Sequence, residues 1–393
     1  MRKRLVIASA LLLLAVLPLA GGGWRGFPEG FFSFPPLIHH KPLHAPFSAP
    51  VFAVFAAFGA FAVLLFLFPR RFGFAPPPRP GSENPRACPV VELGPSSPPV
   101  PPPRPFPLRG RLGLALMLAS WILAWGRFDL PGAAEQHTFF PLWLGFILTL
   151  DGWVFRRAGA SLFSDRRPAF LLAFPVSALS WWYFEFLNRS VQNWWYPDRM
   201  DFGPAHYLVY SSLCFSTVLP SIFEIHSALE SFPVLRVRFS RGPRLRIPRA
   251  APVFAALGAL LLLLIPLFPD PLFFATWVAP LALLAGALGL ARVESPFDSI
   301  PRGDWSPVLL PALAALACGF LWELWNSGSS PHWEYAVPYL DRFHLFEMPA
   351  VGYTGYLPFG PVCACFWLAW TALLPKRVQG AGFRIKPDRV PLS

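Results

Sequence analysis

The chain has 393 residues, of which 54% are hydrophobic, 16% aromatic and only 14% charged. Soluble domains carry about 25% charged residues, and no water-soluble core of this length hides so much apolar surface, so lipid is the solvent for much of the chain. The net charge of +12 raises nucleic-acid binding, but no basic stretch carries a binding motif. Nucleic acid is therefore set aside, because excess Lys and Arg in a membrane protein mark its cytoplasmic loops.

Taken in chain order, the apolar runs predict an all-α, polytopic transmembrane bundle of about ten spans. These are 5–20, 49–68, 111–126, 138–155, 169–187, 206–226, 251–268, 272–291, 307–326 and 348–374. Most have the length a helix needs to cross about 30 Å of hydrocarbon. The first run, after Arg2-Lys3-Arg4 and before Gly21-Gly22-Gly23, also fits a secretory signal peptide; a retained span is preferred. Alternating the spans from a cytoplasmic N-terminus puts 27 of the 33 Lys and Arg on one side. Only Arg25, Lys41, Arg127, Arg189, Arg199 and Arg342 fall on the other. That asymmetry predicts both termini in the cytoplasm of a bacterium, with the spans in its inner membrane.

Six segments follow. Residues 1–74 hold two leading spans. Residues 75–109 form a proline-rich cytoplasmic linker, with 14 prolines between 76 and 107; so few N–H donors predict an extended tether. Residues 110–235 and 251–375 are two membrane repeats joined by a basic loop, 236–250, and residues 376–393 are a basic tail. The repeats are read from matched residues. Glu185 and Glu323, Asn188 and Asn326, Pro131 and Pro269, and Leu219-Pro220 and Leu357-Pro358 all lie 138 apart, while Trp194 and Trp333, and Tyr196 and Tyr335, lie 139 apart. Each repeat has four spans, so the two should be parallel and related by an axis along the membrane normal.

The duplicated E-x-x-N is the strongest candidate for chemistry. Residues three apart share a helix face, so Glu185 with Asn188, and Glu323 with Asn326, combine an acid or base with an amide. Trp182, Trp194 and Tyr196 in one copy, and Trp322, Trp333 and Tyr335 in the other, supply aromatic walls for a ligand. Should a pseudo-twofold bring the copies together, the two carboxyls would share a proton. Ionisable residues inside spans mark functional sites, whereas aromatics concentrate at membrane interfaces for structural reasons. The leading expectation is an intramembrane enzyme using carboxylate acid–base chemistry on a lipid or isoprenoid. The alternatives are a secondary transporter or channel built on the paired acids, and a non-catalytic scaffold that uses the linker.

Phe346-Glu347-Met348-Pro349 with Gly352-Tyr353-Thr-Gly355-Tyr356-Leu-Pro358-Phe359 resembles a segment of bacterial multi-pass membrane proteins that have no established activity. The resemblance covers a short part of the chain and implies membrane residence only. Within it, Gly352, Gly355 and Pro358 form a small-residue stripe suited to close helix packing, and Pro349 suits the first turn of the last span. Asp151 and Glu224 are further intramembrane acids, and Arg156 or Arg157 is the expected partner of Asp151. Cys363 and Cys365 are too closely spaced for a C-x-x-C pair. The histidines, including His39, His40 and His44, form no zinc signature, so no metal is expected. Nucleotide-binding motifs are absent from the sequence, and no cofactor is expected either. The partners expected are the bilayer and its lipids.

Overall fold

Apolar runs free of charge become helices because only a helix satisfies every backbone group within one segment in lipid. The computed structural model describes residues 2–36, 41–76, 104–126, 128, 135–197 and 202–375. Most of the proline-rich linker with Cys88, His39 and His40, Pro131, and the tail from 376 lie outside the described residues. The main helices are α1 (Arg2–Arg25), α2 (Ala49–Leu67), α3 (Leu108–Gly126), α4 (Phe139–Ala158), α5 (Arg167–Val191), α6 (Pro204–Phe215), α7 (Val218–Glu230), α8 (Ala250–Leu264), α9 (Ala275–Leu290), α10 (Ser306–Asn326) and α11 (Tyr356–Leu373).

Among the described residues, eight helices are long and apolar enough to cross a membrane, counting α6–α7 as one. The chain is a multi-pass helical membrane protein. A helix covers each of the ten predicted runs, but α8 and α9 are shorter than the other eight. Their shortness has a local cause. Pro266, Pro269 and Pro271 crowd the connection and withhold backbone donors, so the runs end in turns.

Four helices form the centre. α7 and α11 pack between α5 and α10, which meet through the rings of Trp181 and Trp322, 6.3 Å apart. Outside them α4 lies on α7 and α9 on α11, and each is backed by a hairpin partner, α3 and α8 respectively. Both hairpins close on glycine. Gly145 faces the backbone of Met117 and Gly113, and Gly258 faces that of Leu283; no side chain intervenes, so the backbones approach closely. α1 buries Ile7, Ala10 and Leu14 against α8, α9 and α11, while α2 stays at the periphery.

The predicted span 206–226 is broken between α6 and α7. Pro220 has no N–H, and Ser177 of α5 enters the gap: its hydroxyl donates to Phe215 O at 2.6 Å and accepts from Leu219 N at 2.9 Å. One hydroxyl thus replaces one helical hydrogen bond. Ser177→Ala is expected to strand both backbone groups in a dry core and cost about 2 kcal/mol, read as a lowered unfolding temperature in detergent. The predicted last span is also subdivided. Pro349 sits in a short β pairing, Met348–Pro349 with His344–Leu345, then a 3-10 turn runs Ala350–Gly355 before α11. Pro349 therefore precedes the helix rather than opening it. The close approach in this region is made by Gly360, where a Cβ would overlap the Pro311 carbonyl of α10.

One end of the bundle carries the long loops. Residues 26–36 and 41–48 run across it as a strap. His44 Nδ1 bonds Asp270 at 2.7 Å, Tyr339 N donates to Ala45 O at 3.2 Å, and Arg189 donates to Phe31 O and Ser33 O. This loop-rich end holds the candidate site.

Candidate functional site: two aromatic-caged carboxylates

Glu185 lies near the C-terminal end of α5, and Glu323 occupies the matching place in α10. Both are buried, at 5% and 0% exposure. An ionised carboxylate in such a place is costly unless donors surround it, and the chain supplies them. Glu185 Oε1 accepts from Trp181 Nε1 at 3.2 Å, Trp194 Nε1 at 3.1 Å and the Tyr196 hydroxyl at 2.8 Å. Glu323 Oε1 accepts from the hydroxyls of Tyr335 and Tyr356, both at 2.7 Å. Trp333 Nε1 donates to the Tyr335 oxygen at 2.9 Å and so stands one bond further out. Burial, then the adjacent carboxylate, pushes the Tyr196 and Tyr335 phenols well above their usual range, which keeps both as donors at neutral pH.

Asn188 and Asn326 do not touch the carboxylates. Each clamps the main chain just beyond its own helix. Asn188 Nδ2 donates to Trp194 O at 2.7 Å and Oδ1 accepts from Trp194 N at 3.3 Å. Asn326 repeats this with Trp333 O and N, at 2.7 and 2.8 Å. The amides fix the segments that carry the cage donors. They are positioning residues.

Those two segments pair as short antiparallel strands, β1 (Trp194–Trp195) and β2 (Glu334–Tyr335), with Trp194 opposite Tyr335 and Trp195 opposite Glu334. The cages are therefore joined at their rims. The carboxylates themselves are not joined by a hydrogen bond: each Oε1 has its own donors, and Glu323 Oε2 is buried with no partner. Pro36, Glu185, Asn188, Arg189, Trp194 and Tyr196 line a cleft of about 30 Å³, room for about one water molecule.

The remaining predicted wall residues divide. Trp194 stacks on Trp277 at 5.9 Å. Trp322 is buried against Trp143, Trp181 and Tyr356. Trp182 turns away from Glu185, donating to Ser212 Oγ at 2.9 Å and packing on Phe215.

Two cage residues escaped the sequence reading, Trp181 and Tyr356. They are linked by an exchange. Trp181 sits four residues before Glu185, and the residue four before Glu323 is Gly319. A side chain at Gly319 would overlap the Tyr356 ring; the position matching Tyr356, 138 residues earlier, is Val218. One cage takes a donor from its own helix, and the other leaves that place empty and takes one from α11.

At the opposite end, Asp151 pairs with Arg109 of α3, Nε to Oδ2 at 2.7 Å. The expected Arg156 or Arg157 is not its partner; Arg157 instead lies over the Phe232 ring at 3.9 Å. A helical residue six positions on points to a different face. Cys214, Cys318, Cys363 and Cys365 are buried free thiols, and among the described residues no group of three or more metal-ligating side chains gathers. No protein family, no curated protein and no solved structure matches this chain.

Proposed function

We propose that this chain is a secondary transporter or channel of a bacterial inner membrane, with both termini cytoplasmic, in which Glu185 and Glu323 take up protons at the external end. The observation that carries this reading is the pair of caged carboxylates. Both are buried in the loop-rich end, one has a free oxygen, and the other adjoins a water-sized cleft. A cleft of that size admits water or a proton, and buried acids in membrane bundles mark such paths.

The reading includes two related four-helix units. Its support is the repeated geometry: α3 and α8 end at Gly126 and Leu264, and α7 and α11 begin at Val218 and Tyr356, both 138 apart. Both Asn clamps, both Tyr-to-Glu bonds and the antiparallel β1–β2 pairing fit a pseudo-twofold between parallel repeats. The strong excess of Lys and Arg in alternate loops supports the orientation.

A second reading, an enzyme acting on a lipid or isoprenoid, is favoured by the contiguous aromatic rings of Trp181, Trp194, Trp277 and Phe359 beside Glu185. Glu185→Gln and Glu323→Gln separate the two readings. Purified into proteoliposomes containing a pH dye, each is expected to lose proton flux while the lipid composition of the host membrane is unchanged. Loss of a lipid species with flux intact would favour the enzyme instead, and wild-type behaviour in both assays would remove the acids from either mechanism.

A further inference from the structure

The end of the bundle away from the cages holds a second group of buried acids. Asp151 of α4 and Glu224 of α7 are both 0% exposed. Asp151 is well satisfied. Its Oδ2 accepts from Arg109 Nε, and its Oδ1 accepts from Phe163 N at 3.0 Å. Arg109 also donates to Ser161 Oγ at 3.2 Å. Glu224 differs: neither of its oxygens accepts a hydrogen bond from a donor, and Ser227 Oγ, one turn along α7, is also buried without a partner. The ionisable groups that act on Glu224 are Asp151 and Arg109.

Charge balance decides what this cluster holds. One guanidinium neutralises one carboxylate, and it is committed to Asp151. A second bare carboxylate in a wholly buried site would carry the full cost of desolvation. Among the described residues, no other cation acts on it. On α7 itself His226 pairs with Glu230 at 3.9 Å, α10 presents the Cys318 thiol to Ser221, α5 presents the Ser177 hydroxyl, and Arg157 of α4 reaches Ser231 O. A proton on Glu224 supplies the missing positive charge and turns an oxygen with no donor into a donor towards Asp151.

We propose that Glu224 and Asp151 form a proton-binding site, one proton held between the two carboxyls with Arg109 as counter-ion. Arg109 is the member that reaches the surface, at 22% exposure against 0% for Asp151, so the proton enters and leaves beside its guanidinium. The site stands on its own geometry. Its use as the cytoplasmic station of a proton path rests on the reading of the caged carboxylates above.

The test is infrared difference spectroscopy of the full chain in lipid nanodiscs. Wild type should show the C=O stretch of a carboxylic acid, shifted on transfer to heavy water. Glu224→Gln should abolish that band. It should also melt as wild type does, since an amide mimics the neutral acid. Asp151→Asn should abolish the band too, because Arg109 is then left for an ionised Glu224. Glu185→Gln and Glu323→Gln should leave it intact, which separates this site from the caged carboxylates whatever those do in transport. A band that survives Glu224→Gln, or a melting temperature that rises with sodium in wild type but not in Glu224→Gln, would overturn the proposal. Should Glu224→Gln not fold, Glu224→Asp must shift the band, and an unmoved band would be equally fatal.

Discussion

Asn326→Ala is expected to lower stability by roughly 3 kcal/mol, because it strands both the N–H and the C=O of Trp333 at a part-buried turn, where each unpaired group costs about 1–3 kcal/mol. The bonds lost are short, 2.7 and 2.8 Å. Asn188→Ala should cost less, since one of its two bonds is 3.3 Å. The amide also holds the segment that places Tyr335 on Glu323, so the damage should spread. Tyr335→Phe should cost little when added to Asn326→Ala, although it costs about 1–2 kcal/mol alone. Unfolding temperatures of the two singles and the double, measured in one detergent, check this. Strict additivity would show that the amide and the phenol do not act through the same segment.

The exchange of Trp181 for Tyr356 between the cages makes the second strong prediction. Gly319→Trp alone should cost about 3 kcal/mol, because the new ring meets the Tyr356 ring. Tyr356→Val alone should cost about 3 kcal/mol through the cavity and the lost bond to Glu323. Together they rebuild the cage of Glu185 around Glu323, and the double should lie closer to wild type than either single. A coupling of about 3 kcal/mol in that direction is expected, again read from unfolding. If the double is the sum of the singles, the two cages are not variants of one design.

Much of the architecture was legible in the sequence, since long uncharged runs in lipid have one solution. What escaped it was made by partners distant along the chain. The break after Phe215 depends on Ser177, 38 residues away, and no local pattern announces it. Arg109 lies 42 residues from Asp151, and only the α3–α4 hairpin brings them together. At the site, matching identical residues found the acids, the amides and the paired aromatics. It could not find Trp181 and Tyr356, because the two cages share a donor to the carboxylate there rather than a residue at matched positions. It also gave the amides the wrong neighbour. Shared helix phase placed Asn188 with Glu185, but the helix ends at Val191 and the chain turns back, offering the amide a backbone to bind instead. One further likeness was missed because its spacing differs. Ser161-Leu-Phe163-Ser164, between α4 and α5, and Ser295-Pro-Phe297-Asp298, between α9 and α10, both form capping boxes, 134 rather than 138 apart.

The antiparallel pairing of β1 with β2 ties these observations to motion. Trp194, a donor to Glu185, is held by backbone hydrogen bonds opposite Tyr335, a donor to Glu323. A shift of either strand's backbone moves both donors, because the two residues face each other in the same pairing. If the acids take up protons as proposed, protonation that shifts one strand is expected to reach the second cage through this two-residue pairing.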